Sequence, residues 1–201
     1  SVHSPKGYPY HSEDEDERKH AVAEGVSTAI SAEEMGAGVM VCHFGTSPQS
    51  EKSVTEMLDQ LEGHSIKLGT ENGEDLADYT AIVDRIASDR FGIVVDIGHT
   101  KDEDGVNPFI KKERARETMN QCGKRLIHVQ LHDWVDGDHF SPLDGSIEWG
   151  EVFAALKDID YRGELMFEAA LSPETRKHAP DYVLGRIASF PEEFVERYVS
   201  H

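Results

Sequence analysis

Four segments of the chain each carry an apolar run into a side chain able to bind a metal ion. They are IKLGTENG with Glu71, FGIVVDIGHT with Asp96 and His99, LIHVQLHDW with His128, Gln130, His132 and Asp133, and GELMFEAA with Glu168. Carboxylates, carboxamide oxygens and imidazoles are the ligands of hard and borderline divalent cations. A cation so held can polarise a carbonyl group or stabilise a developing negative charge. The order repeats along the chain as strand-like run, ligand, helical stretch. Parallel α/β proteins place their chemistry at the C-terminal ends of strands, so four such ends predict a metal site inside a barrel.

The elements that must position these groups alternate strictly. Strand-like runs fall at 1–5, 38–44, 66–71, 91–97, 125–132 and 163–168. Helical stretches fall between them, at 12–36 with Ser12 as candidate N-cap and at 50–62 with Val54, Met57, Leu58 and Leu61 on one face. Leu76, Tyr79, Ile82, Val83 and Ile86 mark the next helix. Asn107 and Pro108 read as the cap and first residue of another that Gly123 closes. Trp149, Val152, Phe153 and Leu156 mark a short helix, and a last one is expected near 180–198. Six strand–helix units predict a parallel sheet with helices outside. Parity fits a barrel: Ile93, Val95 and Ile97 share one strand face while Val94 and Asp96 share the other. Likewise Val129 and Leu131 alternate with His128, Gln130 and His132, and Leu165 and Phe167 with Met166 and Glu168. The polar face would point inward. The connection 133–147 is long enough to suggest function.

Composition sets the bounds. With 201 residues, 38% hydrophobic and 29% charged, the chain reads as one soluble domain over 1–201. It has neither an apolar run of membrane-spanning length nor a leader pattern, so a cytoplasmic protein is expected. Cys42 and Cys122 form no CxxC, which excludes a zinc knuckle and disfavours a disulfide. A net charge of −19 disfavours nucleic acid as a partner. The same acidity is what adaptation to high salt would give, and then it excludes less. Each residue alone has a plainer reading. A strand-end Glu is usually a loop residue, and His43 alone a hydrogen-bonded core histidine. The run Glu13–Glu17 fits a solvated helix start, and Lys111, Lys112, Arg114 and Arg116 the wet face of a helix.

Taken in order, these motifs resemble the xylose isomerase-like TIM-barrel superfamily, which includes sugar phosphate isomerases and epimerases and endonuclease IV. SVHSP is similar to the family's third strand end, VCHFG to the fourth and TENG to the fifth. VVDIGHT is similar to the sixth, HVQLHD to the seventh and MFEAA to the eighth, with DHFSPLDGSIEW like the loop after the seventh. The resemblance implies a parallel (β/α) TIM barrel of which about six of eight units are present. It implies an amino-terminally incomplete domain, either part of a longer product or completed by a second copy in a homo-oligomer.

Position by position, Glu71, Asp96 and Glu168 match three of the four ligands of the family's shared divalent metal. Gln130 stands where the fourth, a histidine, is usual, and a carboxamide oxygen is the weaker ligand. His128 or His132, on the same strand face, could compensate. His3, His43, His99, Asp138 and His139 match positions that hold two further zinc ions in endonuclease IV. The function implied is a divalent-metal-dependent isomerase or epimerase of a sugar or sugar phosphate, with Mn²⁺, Mg²⁺ or Co²⁺ as cofactor and Zn²⁺ as the alternative. It would work by α-proton abstraction and a metal-stabilised enediolate. Glu71 and Glu168 would double as bases, with His99 orienting a hydroxyl and His132 and Asp133 as substrate contacts. A lyase acting on a cyclic polyol belongs to the same superfamily. The rival readings are a zinc phosphodiesterase for abasic DNA and a non-catalytic barrel remnant.

Overall fold

The computed structural model describes residues 1–72, 76–135 and 139–198. Its six strands are β1 (Val2–His3), β2 (Val39–Cys42), β3 (Lys67–Glu71), β4 (Phe91–Asp96), β5 (Leu126–Leu131) and β6 (Leu165–Phe167). They lie in chain order in one sheet, each parallel to the next. A sheet wound in a single direction with a crossover after every strand curls toward a barrel, and the chain forms a curled six-stranded part of one. The helices are α1 (Glu15–Glu34), α2 (Pro48–Gln60), α3 (Leu76–Ile86), α4 (Lys112–Cys122), α5 (Trp149–Asp158), α6 (Pro173–Arg176), α7 (Ala179–Ile187) and α8 (Glu192–Tyr198). No helix among the described residues is long and apolar enough to cross a membrane.

The expected parity holds in β4. Ile93, Val95 and Ile97 join the main core with the helices, while Val94 sits in a separate apolar group with Val39, Val41 and Ile127. That smaller group fills the concave face beneath the ligands. Gly69 is small for a reason there, since a Cβ on it would strike Val94. The register slips where β4 meets β5: Ile93 pairs with Leu126, but Val94 pairs with His128. The extra residue turns Ile127 inward beside Val94 and leaves Val129 and Leu131 on the helix side.

Three helix boundaries differ from expectation. Asp14, not Ser12, caps α1, accepting from the amides of Asp16 and Glu17, because the helix starts at Glu15, three residues after the expected start at 12. Ser12 instead accepts from the Asp14 amide and donates to Glu17. Asn107 caps only a 3-10 turn, Pro108–Ile110, and α4 begins at Lys112. Gly123 does close α4, at φ 51. The single helix expected near 180–198 is broken into α7 and α8 by Pro191, which supplies no amide to a continuing helix. The break seats Phe190 and Phe194 on Phe153, the Phe194 ring stacked at 3.6 Å.

Two polar anchors start from α1, one to the next helix and one to the sheet. Arg18 is wholly buried and donates to Glu15, Ser53 and Glu56, joining α1 to α2. Glu33, near the end of α1, accepts from the backbone amides of Ser65 and Ile66 and so fixes the entry into β3.

His128 is the anomaly of the interior. It is fully buried and neither ring nitrogen has a hydrogen-bond partner. Burial pushes its pKa down to about 4 from 6.5. The unfolded chain therefore binds a proton below pH 6.5 that the folded chain refuses until pH 4. Stability is lost as pH falls through that window, by about 3 kcal/mol in all. Thermal unfolding of the metal-free chain between pH 7 and 5 is expected to show this slope. His128→Leu should flatten it, and by removing two unsatisfied nitrogens it should not lower stability at pH 7.

Candidate metal centre

The strand ends converge. His3 closes β1, His43 follows β2, Glu71 closes β3, Asp96 closes β4, Gln130 lies in β5 and Glu168 follows β6. His99 stands three residues past Asp96, where the chain turns back over the sheet. Glu71 is almost wholly buried and Asp96 completely so. Two buried carboxylates facing each other are tolerated only if cationic or hydrogen-bonding partners compensate them.

The partners are imidazoles and amides. One Glu71 oxygen lies 3.1 Å from His3 Nε2 and 3.7 Å from His43 Nε2, and the other 3.5 Å from His99 Nδ1. His99 Nδ1 also lies 2.7 Å from Asp96 Oδ2. Asp96 Oδ1 accepts from the backbone amides of Gly98 and His99, both at 3.1 Å. His132 Nε2 is pressed against that same oxygen. The rings of His99, His132 and His139 stand 4.5–5.0 Å apart. Gln130 Nε2 donates to Glu168 Oε2. Among the described residues three ligand groups emerge, each with ligand atoms within 4.8 Å of one another: His3, His43 and Glu71; Glu71, Asp96 and His99; and His99, His132 and His139.

The electrostatics follow from this packing. Burial alone would raise the Glu71 carboxyl, but His3 and His99 hold it at about 2. Asp96 is likewise driven below the ordinary carboxylate range, with His132 and His99 overcoming the effect of burial. The Glu71 contact raises His3, whereas burial lowers His43.

Not every expected contact lies in this cluster. Asp133 is buried, and its two oxygens accept from the amides of Trp134, Leu143 and Ile147 and from the Trp149 indole, at 2.8–3.0 Å. It ties down the 133–147 loop. His132 is buried beneath His139. Asp138 lies outside the described residues. The sequence reading overlooked Asn72, whose side chain accepts from the Asp96 amide and donates to Thr100, and Thr100, whose hydroxyl donates to the Asp96 carbonyl. Together they brace the ends of β3 and β4. Asn107 adds a brace, its amide donating to the carbonyls of Ile97 and Gly98. Polar residues just after strand ends were the signal for Asn72 and Thr100. Nothing in the sequence pointed Asn107 back toward the sheet.

The arrangement suits a divalent cation. Asp96 Oδ2 and Gln130 Oε1 are buried with no hydrogen-bond partner. A cation among Glu71, Asp96, Gln130 and Glu168 would satisfy both and offset three carboxylates, and an oxygen-rich set with imidazole at its edge takes Mn²⁺, Mg²⁺, Co²⁺ or Zn²⁺.

Comparison with known proteins agrees with the fold. The family model of the xylose isomerase-like TIM barrel matches residues 1–184, and the chain belongs to that family. An uncharacterized protein of Methanocaldococcus jannaschii is 29% identical over 157 residues, 67% of this chain and 52% of the relative. D-psicose 3-epimerase of Enterocloster bolteae is 27% identical over 113 residues, 56% of this chain and 32% of the enzyme. The chain thus spans from a third to about half the length of these two relatives. Among solved structures, 3-keto-D-glucoside 4-epimerase from E. coli superposes with a TM-score of 0.70 at 16% identity, over 94% of this chain and 79% of the enzyme. The IolI protein with a bound zinc atom superposes with a TM-score of 0.67 at 19% identity, over 94% of this chain and 74% of that one.

Adding Mn²⁺ or Zn²⁺ to the chelator-stripped chain is expected to raise its melting temperature, and EDTA to reverse the rise. Gln130→His, restoring an imidazole for a carboxamide, should tighten Mn²⁺ binding about tenfold in a calorimetric titration.

Proposed function

We propose that this barrel is a divalent-metal-dependent isomerase or epimerase of a sugar or sugar phosphate. The observation that carries the reading is the placement of Glu71 and Glu168. Sheet order sets them at the ends of β3 and β6, with the ligand-bearing ends of β4 and β5 between them. Two carboxylates flanking one site can take a proton from a carbon next to a carbonyl and return it from the other side. The epimerases among the structural neighbours and curated relatives support the same reaction class.

The chain's own groups divide the work. Glu71, Asp96, Gln130 and Glu168 would hold the cation, with His3, His43 and His99 around Glu71. When bound, the cation would polarise the substrate's carbonyl and lower the cost of the negative charge that proton removal creates. Glu71, held at about 2, is ionised throughout the neutral range, the state in which a carboxylate can ligate a cation or take a proton. Gln130, by donating to Glu168 Oε2, fixes the rotamer of that carboxylate and leaves its other oxygen for substrate or cation. His99 lies between Glu71 and Asp96, where it can orient a substrate hydroxyl.

A direct test incubates the Mn²⁺-loaded chain with ketohexoses, ketopentoses and their phosphates in D₂O. Deuterium should enter at the carbon beside the carbonyl, with an epimer or aldose appearing. Glu71→Gln and Glu168→Gln should each lower the exchange by about 10²–10⁴-fold. A metal-loaded chain that exchanges no proton in any of these sugars would sink the reading and leave a binding-only barrel. The ligand groups on either side of Asp96 favour one other reading, a zinc phosphodiesterase. Nicking of an abasic duplex by the Zn²⁺-loaded chain would establish it, against the −19 charge that opposes DNA binding.

A further inference from the structure

His132 is fully buried, one residue beyond β5, and its two ring nitrogens face different parts of the molecule. Nδ1 accepts a 2.8 Å hydrogen bond from the backbone amide of His139. A neutral imidazole that accepts on Nδ1 carries its proton on Nε2. Nε2 is the nitrogen pressed against Asp96 Oδ1, so the ring presents an N–H, not a lone pair, to that carboxylate. The amides of Gly98 and His99 already converge on Oδ1, and Oδ2 is the oxygen without a hydrogen-bond partner. Three N–H groups thus gather on Oδ1, while Oδ2 faces His99 Nδ1 at 2.7 Å, inside the ligand group of Glu71, Asp96 and His99 that a cation would share.

Gly98 supplies independent support. A Cβ on this residue would fall inside the His132 ring, so only glycine lets the imidazole lie flat against the turn after β4. The His139 amide is itself held in place. Asp133 and Phe140 exchange backbone hydrogen bonds, and the His139 carbonyl accepts from the Ala170 amide at 2.8 Å, two residues past Glu168.

We propose that His132 is a positioning residue that sets which oxygen of Asp96 faces the cation and ties that carboxylate to the loop 133–147. The inference rests on the metal-centre reading above but not on any sugar being turned over. Ring nitrogens that fix metal-bound carboxylates from behind commonly alter metal affinity about tenfold to a hundredfold when removed.

The test measures Mn²⁺ affinity of the full chain against a fluorescent chelator, with X-ray absorption of the Co²⁺-loaded form counting imidazoles. His132→Leu should weaken Mn²⁺ binding by about tenfold to a hundredfold. His132→Gln, whose amide N–H can replace the one at Nε2, should restore most of the loss with the imidazole count unchanged. Gly98→Ala keeps every ligand and His132 itself but displaces the ring, and should reproduce the His132→Leu loss. The double variant should be no worse than either single one, since both break the same contact. Should His132→Leu fail to fold, judged by circular dichroism of the metal-free chain, Gly98→Ala decides. Unchanged affinity in the folded variants, or one imidazole lost from the Co²⁺ shell in His132→Gln, overturns the proposal. Mn²⁺ binding without sugar turnover overturns only the function reading, whereas a wild-type chain that binds no Mn²⁺ overturns both.

Discussion

Two buried carboxylates, Glu71 and Asp96, meet at one end of a parallel sheet, with Glu168 held by Gln130 at the same end, and most of what surrounds them offsets that concentration of negative charge. Isolated, such groups would protonate or open the structure to water. Here His3, His43 and His99 approach Glu71, the amides of Gly98 and His99 reach Asp96, and Gln130 turns its N–H to Glu168. The compensation is partial by design of the sheet. A strand end offers only one inward side chain, so each ligand needs its own strand, and the six strands in order are what bring them within reach of one another. The apolar group of Val39, Val41, Val94 and Ile127 beneath them excludes water and strengthens every charge interaction above it.

Much of this was legible in the sequence because it depends on period-two alternation and on order. Strands ending in Glu71, Asp96 and Gln130 declare themselves by apolar runs that stop at a polar group, and strict alternation with helices leaves few topologies besides a singly wound parallel sheet. The family followed from motifs in register over most of the chain, and the match over residues 1–184 bears it out. What escaped the sequence depends on side-chain direction. Asp133 looked like a substrate contact because it follows a strand end, yet three amides of its own loop and the Trp149 indole of α5 collect on it. Asn107 looked like a helix cap and is one, but its other end reaches back to the carbonyls under His99. The slip of register at Ile127 has no signature in an apolar run, since either neighbour could have turned inward.

The helical boundaries failed for a local reason. Ser12 and Asp14 are both good caps, and which one wins is decided by where the chain leaves Tyr10, whose ring packs on Phe44 and whose carbonyl accepts from Ser53. Pro191 splits the last helix because it has no amide to donate to a continuing turn, and the break lets Phe190 and Phe194 pack on Phe153.

The loop gathered on Asp133 has a consequence for how such a barrel can change over evolution. Because one carboxylate fastens both the start of the loop, at Trp134, and its far side, at Leu143, Ile147 and Trp149, a single substitution there would release both banks at once. Change in the loop is thereby coupled to the strand ends through His139 and Phe140, whose backbones bond to His132, Asp133 and Ala170, so variation there is constrained from below.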